Sequence, residues 1–189
     1  MFDISPATEQ MASVLRGVED HQLAGPTPCP HYTLGDLVDH INGLSLAFTW
    51  AATKSFPSGR SRPPSVDASR LGPDWRTRIP EQLARLAEAW RDPAAWEGMT
   101  EAGGVDLPAQ VAAMVALNEV VVHGWDVSRA SGQPFRADPQ ALAICGEFLA
   151  QPGDRGDAFG LVVGIPAHAP QLDRVIGLSG RDPSWTPGP

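Results

Sequence analysis

Basic charge is scarce in this 189-residue chain: Lys54 is its only lysine, so arginine carries almost all of the positive charge. With a formal net charge of −8, the chain lacks the basic stripe that a phosphate backbone demands, which argues against nucleic acid as a partner. Cysteine is scarce too. Cys29 and Cys145 are too few and too isolated for a disulfide framework or a cysteine zinc cluster, and a reducing cytoplasm is the default setting. No stretch offers the roughly 18 uninterrupted apolar residues of a membrane span, and the start, MFDISPATEQMASVLRG, has neither the basic nor the apolar segment of an export signal. The sequence predicts a cytoplasmic protein that neither spans a membrane nor is exported. A homodimer is left open.

What is present fits one globular domain over residues 1–189, with 42% hydrophobic residues to build a core. Helical spacing recurs along it. After Ser5, read as a cap, and Pro6 come Met11, Val14, Leu15 and Val18, in a helix predicted to stop near Gly25-Pro26. Thr33 and Asp36 form a capping-box start for a second helix through Leu37, Ile41 and Leu44 to about Thr53. SFPSGRSRPPSVDASRLGP then reads as a long exposed connection, rich in breakers and poor in apolar surface. A third helix carries Leu83, Leu86, Ala87 and Trp90 and stops at Asp92-Pro93, with its beginning unsettled by Pro80. Gly103-Gly104 between β-compatible pieces predicts a small hairpin. A fourth long helix runs from Pro108 to Gly132, a shorter one follows Asp138-Pro139, and a last turn or helix lies around Leu172 to Leu178. Four principal helices predict an all-α bundle, with a short C-terminal helical addition.

One run in that plan is odd. LNEVVVHGWDVSRASG, in the fourth helix, places Glu119 and His123 one turn apart among valines, and a carboxylate is costly to bury alone. At 100° per residue, Ala112, Ala116, Glu119 and His123 share a narrow stripe that reads as a pocket wall with small residues beside the polar pair, while Val111, Val115, Val122 and Trp125 fall on other faces. A carboxylate and an imidazole at i, i+4 can reach one cation, by the same geometry that lets H-E-x-x-H hold zinc. Among the other histidines, His21 lies at a helix end, His31 in a loop and His168 in a proline-rich tail. His40 sits one turn from both Leu37 and Leu44 and faces the interior. Taken singly, each of these residues is equally readable as a hydrogen-bonded core group, and Glu119 with His123 as a charge pair. Spacing does not decide.

TPCPHYTLGDLVDHINGL and LNEVVVHGWDVSRASG together resemble the two signature segments of actinobacterial DinB-like proteins of the mycothiol-dependent maleylpyruvate isomerase N-terminal type, and the tail from Ile165 to Trp185 resembles the ending of their shorter members. The resemblance implies a four-helix bundle with a divalent metal inside, held at the positions of His40, Glu119 and His123. Zinc is the first expectation, with nickel or iron also suited to nitrogen and oxygen ligands. It also implies mycothiol as a low-molecular-weight thiol cosubstrate and an electrophile as the second small-molecule partner. Cys29 belongs to the T-P-C-P segment; its place before a helix could lower its thiol pKa, although flanking prolines point to a structural role. Trp125 and Asp126 belong to H-G-W-D, and Asp126 could steady a ligand or bond backbone or Arg129. The expected activity is thiol-dependent transfer or isomerisation; a non-catalytic metal-binding scaffold or sensor and a metal-water hydrolase are the alternatives.

Overall fold

The computed structural model describes residues 1–57, 59, 61, 66–151 and 160–188. Helix α1, Ser5–Arg16, starts one residue earlier than a Ser5 cap would allow: Ile4 holds the cap position, and the Asp3 carboxylate accepts the Ser5 N–H at 2.9 Å. It also ends at Arg16 and not near Gly25, with a single 3-10 turn over Asp20–Gln22 filling part of the remainder. Helix α2, Leu34–Thr53, opens on the expected capping box. The Thr33 hydroxyl oxygen accepts from the Asp36 N–H, and the Asp36 carboxylate accepts from the Thr33 N–H, each at 3.2 Å.

Helix α3, Trp75–Ala89, continues past Pro80, whose position in the second turn removes one early hydrogen bond. Asp92 then accepts the Ala94 N–H and starts a 3-10 turn over Pro93–Trp96. Strands β1, Met99–Ala102, and β2, Val105–Pro108, form the expected antiparallel hairpin, and its turn places Gly103 at φ 58° and Gly104 at φ 84°, where a side chain would be strained. Helix α4, Ala109–Ala130, follows without a break. Helices α5, Pro139–Ala150, and α6, Gln171–Leu178, come last.

α1 lies against α3 and α4, and α2 lies against the same two, so the four long helices enclose one apolar interior. Met11 and Leu15, Leu37 and Ile41, Leu83 and Leu86, and Leu117 and Val120 fill it, each essentially without exposure. α5 packs on α4 and α6 on α5, which brings the tail back over the bundle. The helical class with a hairpin and a short added helix is therefore what the chain adopts. Residues 58, 60 and 62–65 of the expected exposed connection lie outside the described residues, but its later part is tied down. The Asp39 carboxylate accepts from the Asp67 N–H at 3.0 Å and from Arg70 at 2.6 Å, while Asp36 accepts the Ala68 N–H at 3.0 Å. Polar anchoring replaces the apolar packing that this segment cannot supply.

Candidate functional site

Two turns of α4 and one of α2 place three donor atoms in one spot. Glu119 Oε2 stands 3.1 Å from His123 Nε2 on its own helix and 3.4 Å from His40 Nε2, which is 79 residues away in sequence. The two imidazoles meet edge to face with centroids 4.9 Å apart. All three donor atoms lie within 4.8 Å of one another. What faces the Glu119–His123 pair is thus His40, delivered by the face of α2 that also carries Leu37 and Leu44.

Electrostatics explain how the cluster tolerates burial. Desolvation alone would push the Glu119 carboxyl up, but hydrogen bonds and charge from His123 and His40 outweigh it and hold the group well below the usual carboxylate range. Desolvation would likewise lower His123; hydrogen bonds to Asp126 and Glu119 outweigh it and raise the imidazole to about 9. Asp126, wholly buried, accepts from His123 Nδ1 at 2.9 Å and from Arg181 Nη2 at 3.4 Å. Its bond to Nδ1 fixes the imidazole so that Nε2 points at Glu119 and His40, the arrangement by which a carboxylate steadies a metal-bound histidine. His40 has no such support: its buried Nδ1 has no partner among the described residues.

The donor set fits a divalent cation. Two donors each about 2.1 Å from a tetrahedral ion stand about 3.4 Å apart, close to the two separations from Glu119, 3.1 and 3.4 Å. Nitrogen, oxygen and nitrogen are borderline donors that suit zinc, nickel or iron.

The cluster forms part of the wall of a cavity of about 380 Å³. Cys29, His31 and Tyr32, from the segment before α2, stand on the same side, and the Tyr32 ring tilts against His40 with centroids 5.6 Å apart. Leu44 and Phe48 of α2, Leu107 of β2 and Val115 of α4 line the rest. The expected stripe needs correction here: Ala112 and Ala116 are fully buried in the core and are not among the cavity residues, whereas Val115 is. The cavity opens on the Val115 side of Glu119, and the alanines turn toward the packed interior. Trp125 is also buried away from the cavity, with the Arg129 guanidinium 5.8 Å from its ring. Asp126 bonds Arg181 and not Arg129, whose guanidinium donates instead to the Trp185 carbonyl.

Arg181 is the residue that sequence reasoning missed. It follows α6, is 7% exposed, donates to the Ser179 carbonyl at 2.8 Å and lines the cavity beside the cluster. Gly180 aims it: at φ 84° the chain turns out of the helix, and a Cβ there would come within 2.6 Å of the Gly160 backbone. The GRDP of the tail, which repeats the RDP at Arg91, reads as a second helix stop and gives no sign of this role.

Cys29 departs from the low-pKa expectation. Burial pushes its thiol up, ahead of the smaller lowering effect of Arg181, and burial pushes Cys145 up to about 12. At neutral pH both are thiols. Iodoacetamide is expected to label native Cys29 more slowly than free cysteine and Cys145 only after unfolding; rapid native labelling of either thiol, followed by mass spectrometry, contradicts this.

The model of the mycothiol maleylpyruvate isomerase N-terminal domain matches residues 4–128, a span that includes all three donors. The chain belongs to this family. Uncharacterized proteins from two strains of Mycobacterium tuberculosis, CDC 1551 / Oshkosh and ATCC 25618 / H37Rv, are each 27% identical to this family member over 185 residues, covering 93% of both chains. Among solved structures, the mycothiol-dependent maleylpyruvate isomerase superposes with a TM-score of 0.57 at 23% identity, over 78% of this chain and 67% of that one. A histidine-to-alanine mutant of the same enzyme gives the same TM-score at 22% identity. At such identities the likeness establishes the fold. Arg181 lies beyond the part of the chain that the family model matches. Among the described residues, no helix is long and apolar enough to cross a membrane.

Proposed function

We propose that this family member is a metal-dependent enzyme, a single metal-binding helical domain over residues 1–189, that activates a low-molecular-weight thiol, mycothiol, against an electrophile. The observation that carries the reading is the convergence of His40 Nε2, Glu119 Oε2 and His123 Nε2 within 4.8 Å, at the wall of a cavity large enough for a small molecule. The names of the structural neighbours supply the thiol.

In this reading His40, Glu119 and His123 hold the ion, and two imidazoles with one carboxylate leave it a position free for a ligand. A bound divalent ion, zinc by first preference, supplies Lewis acidity that favours a thiolate over a thiol of ordinary pKa about 8.5. Asp126 keeps the His123 ring oriented, and Arg181 offsets the buried charge of Asp126. The apolar walls exclude water from the sulfur. For transfer, the sulfur forms a bond to the electrophilic carbon, the leaving group departs with its electron pair, and the thiol proton passes to solvent. For isomerisation, the sulfur adds to an activated double bond, the bond rotates, and the same sulfur leaves.

The test is a metal analysis of purified protein together with consumption of mycothiol against a panel of electrophiles. Stoichiometric metal with thiol turnover supports the proposal; metal without turnover favours the scaffold or sensor. Glu119→Gln tests the ligand role. It removes the charge and keeps the size, so added metal is expected to raise the melting temperature of wild type much more than that of the variant. Without metal the variant is expected to be less stable than wild type, because the bonds and charge from His123 and His40 that outweigh the burial of the carboxylate are lost. Equal stabilisation of both proteins by metal removes Glu119 from the site.

A further inference from the structure

The cavity changes character along its length. α2 and α4 run in opposite directions beside it: His40 meets Glu119 and His123, while eleven residues further along α2 the Ala51 carbonyl accepts from Thr100 of β1, just ahead of α4. Passing from His40 to Leu44, Ala47 and Phe48 therefore runs alongside the passage from His123 back to Val115. At 1.5 Å per residue, His40 to Phe48 spans about 12 Å. At the near end stand the three donors, Cys29, His31, Tyr32 and Arg181; at the far end stand Leu44, Ala47, Phe48, Val115 and, from the hairpin, Leu107. Arg181 is the only lysine or arginine at the cavity wall among the described residues, it bonds Asp126 and the Ser179 carbonyl, and the wall's histidines stand at the donor end.

A molecule whose reacting atom sits at the donors must lay its remainder along that apolar arc. An anionic group there would lose its hydration and gain no partner. Carbon and hydrogen gain by burial. We infer that the electrophile handled by this protein is an uncharged molecule with an apolar alkyl or aryl body, which fills the far end of the cavity against Leu44, Phe48, Leu107 and Val115 while its reactive carbon faces the donors. This rests on the thiol-activation reading and names its acceptor class. It sets the chain apart from a short dianionic acid of the kind named in its structural neighbours. The reaction balances as RSH plus an apolar R′X giving RSR′ plus HX, the sulfur–carbon bond forming as X leaves with its electron pair.

The test uses S-alkyl N-acetylcysteines, from methyl to octyl, as product mimics titrated calorimetrically into the purified, metal-loaded protein. Affinity is expected to rise about fourfold per added methylene, the equivalent of about 0.8 kcal/mol, until the tail reaches the hairpin. A tail ending in a carboxylate loses that gain. Ala47→Phe fills the far end from an already half-buried position and is expected to abolish the rise for long tails, weakening the octyl compound far more than the methyl one; Leu107→Asn serves the same purpose from the hairpin should the first variant fold poorly. A flat series, or a rise that neither variant alters, overturns the inference. Mycothiol consumption assays with electrophiles of the same chain lengths keep the two readings apart. Thiol turnover with a flat series leaves thiol activation standing and overturns the apolar acceptor, whereas a rising series without turnover with any electrophile overturns thiol activation and leaves only the apolar end of the cavity.

Discussion

Replacing His123 by alanine is expected to abolish stoichiometric metal binding. The loss removes one donor of three and also the i, i+4 chelate with Glu119, the only pair in the set that needs no tertiary docking to form. Metal content after purification, read by plasma mass spectrometry beside a circular dichroism spectrum, is the measurement. A helical variant that keeps full metal content and affinity sinks the site. His40→Ala approaches the same site from the other helix. If it lowers only the melting temperature and spares metal content, His40 is a core histidine and the cluster a charge network.

Arg181→Met is expected to cost about 3 kcal/mol of folding stability, because removing one partner of a buried pair leaves the other charge uncompensated. Asp126 is wholly buried and then keeps only the 2.9 Å bond from His123 Nδ1, its other carboxylate oxygen having no partner among the described residues, so part of its charge goes uncompensated. Urea unfolding gives the number. The double variant with Asp126→Asn is expected to lose less than the sum of the two single losses, since neither charge is then stranded. A cost of Arg181→Met below about 0.5 kcal/mol, the range of ordinary surface substitutions, shows that the 3.4 Å contact contributes nothing.

Much of this architecture was legible before the structure because its signals are local. Thr33 with Asp36 makes a capping box whatever the tertiary fold, Gly103-Gly104 tolerates the positive φ of a tight hairpin, and the apolar middle of α4 demands burial. The helical stripe also brought out Glu119 and His123. It failed one step later, at the alanines. A helical wheel gives the angle of each residue on its own helix but not the angle at which a neighbouring helix stands away, and that angle put Val115 at the cavity and Ala112 and Ala116 in the core. Spacing from Leu37 and Leu44 sets His40 apart from the other histidines and turns it to the interior, and the family resemblance adds the ligand role. Arg181 had no comparable signal, because a residue after a short helix carries no periodicity that says where its side chain returns. The α1 start shows the same limit on a smaller scale: Ser5 is a good cap by residue type, but it lies inside the helix and its own N–H is taken by the Asp3 carboxylate.

The return of Arg181 to the cluster also orders events during biosynthesis. Arg181 is 55 residues later in the chain than Asp126, its carboxylate partner, and at about 5–20 residues per second that interval takes seconds. α1 to α4 are complete well before, so the three donors can meet while the neighbouring Asp126 still lacks its guanidinium. For that interval the nascent site is more negative than the finished one.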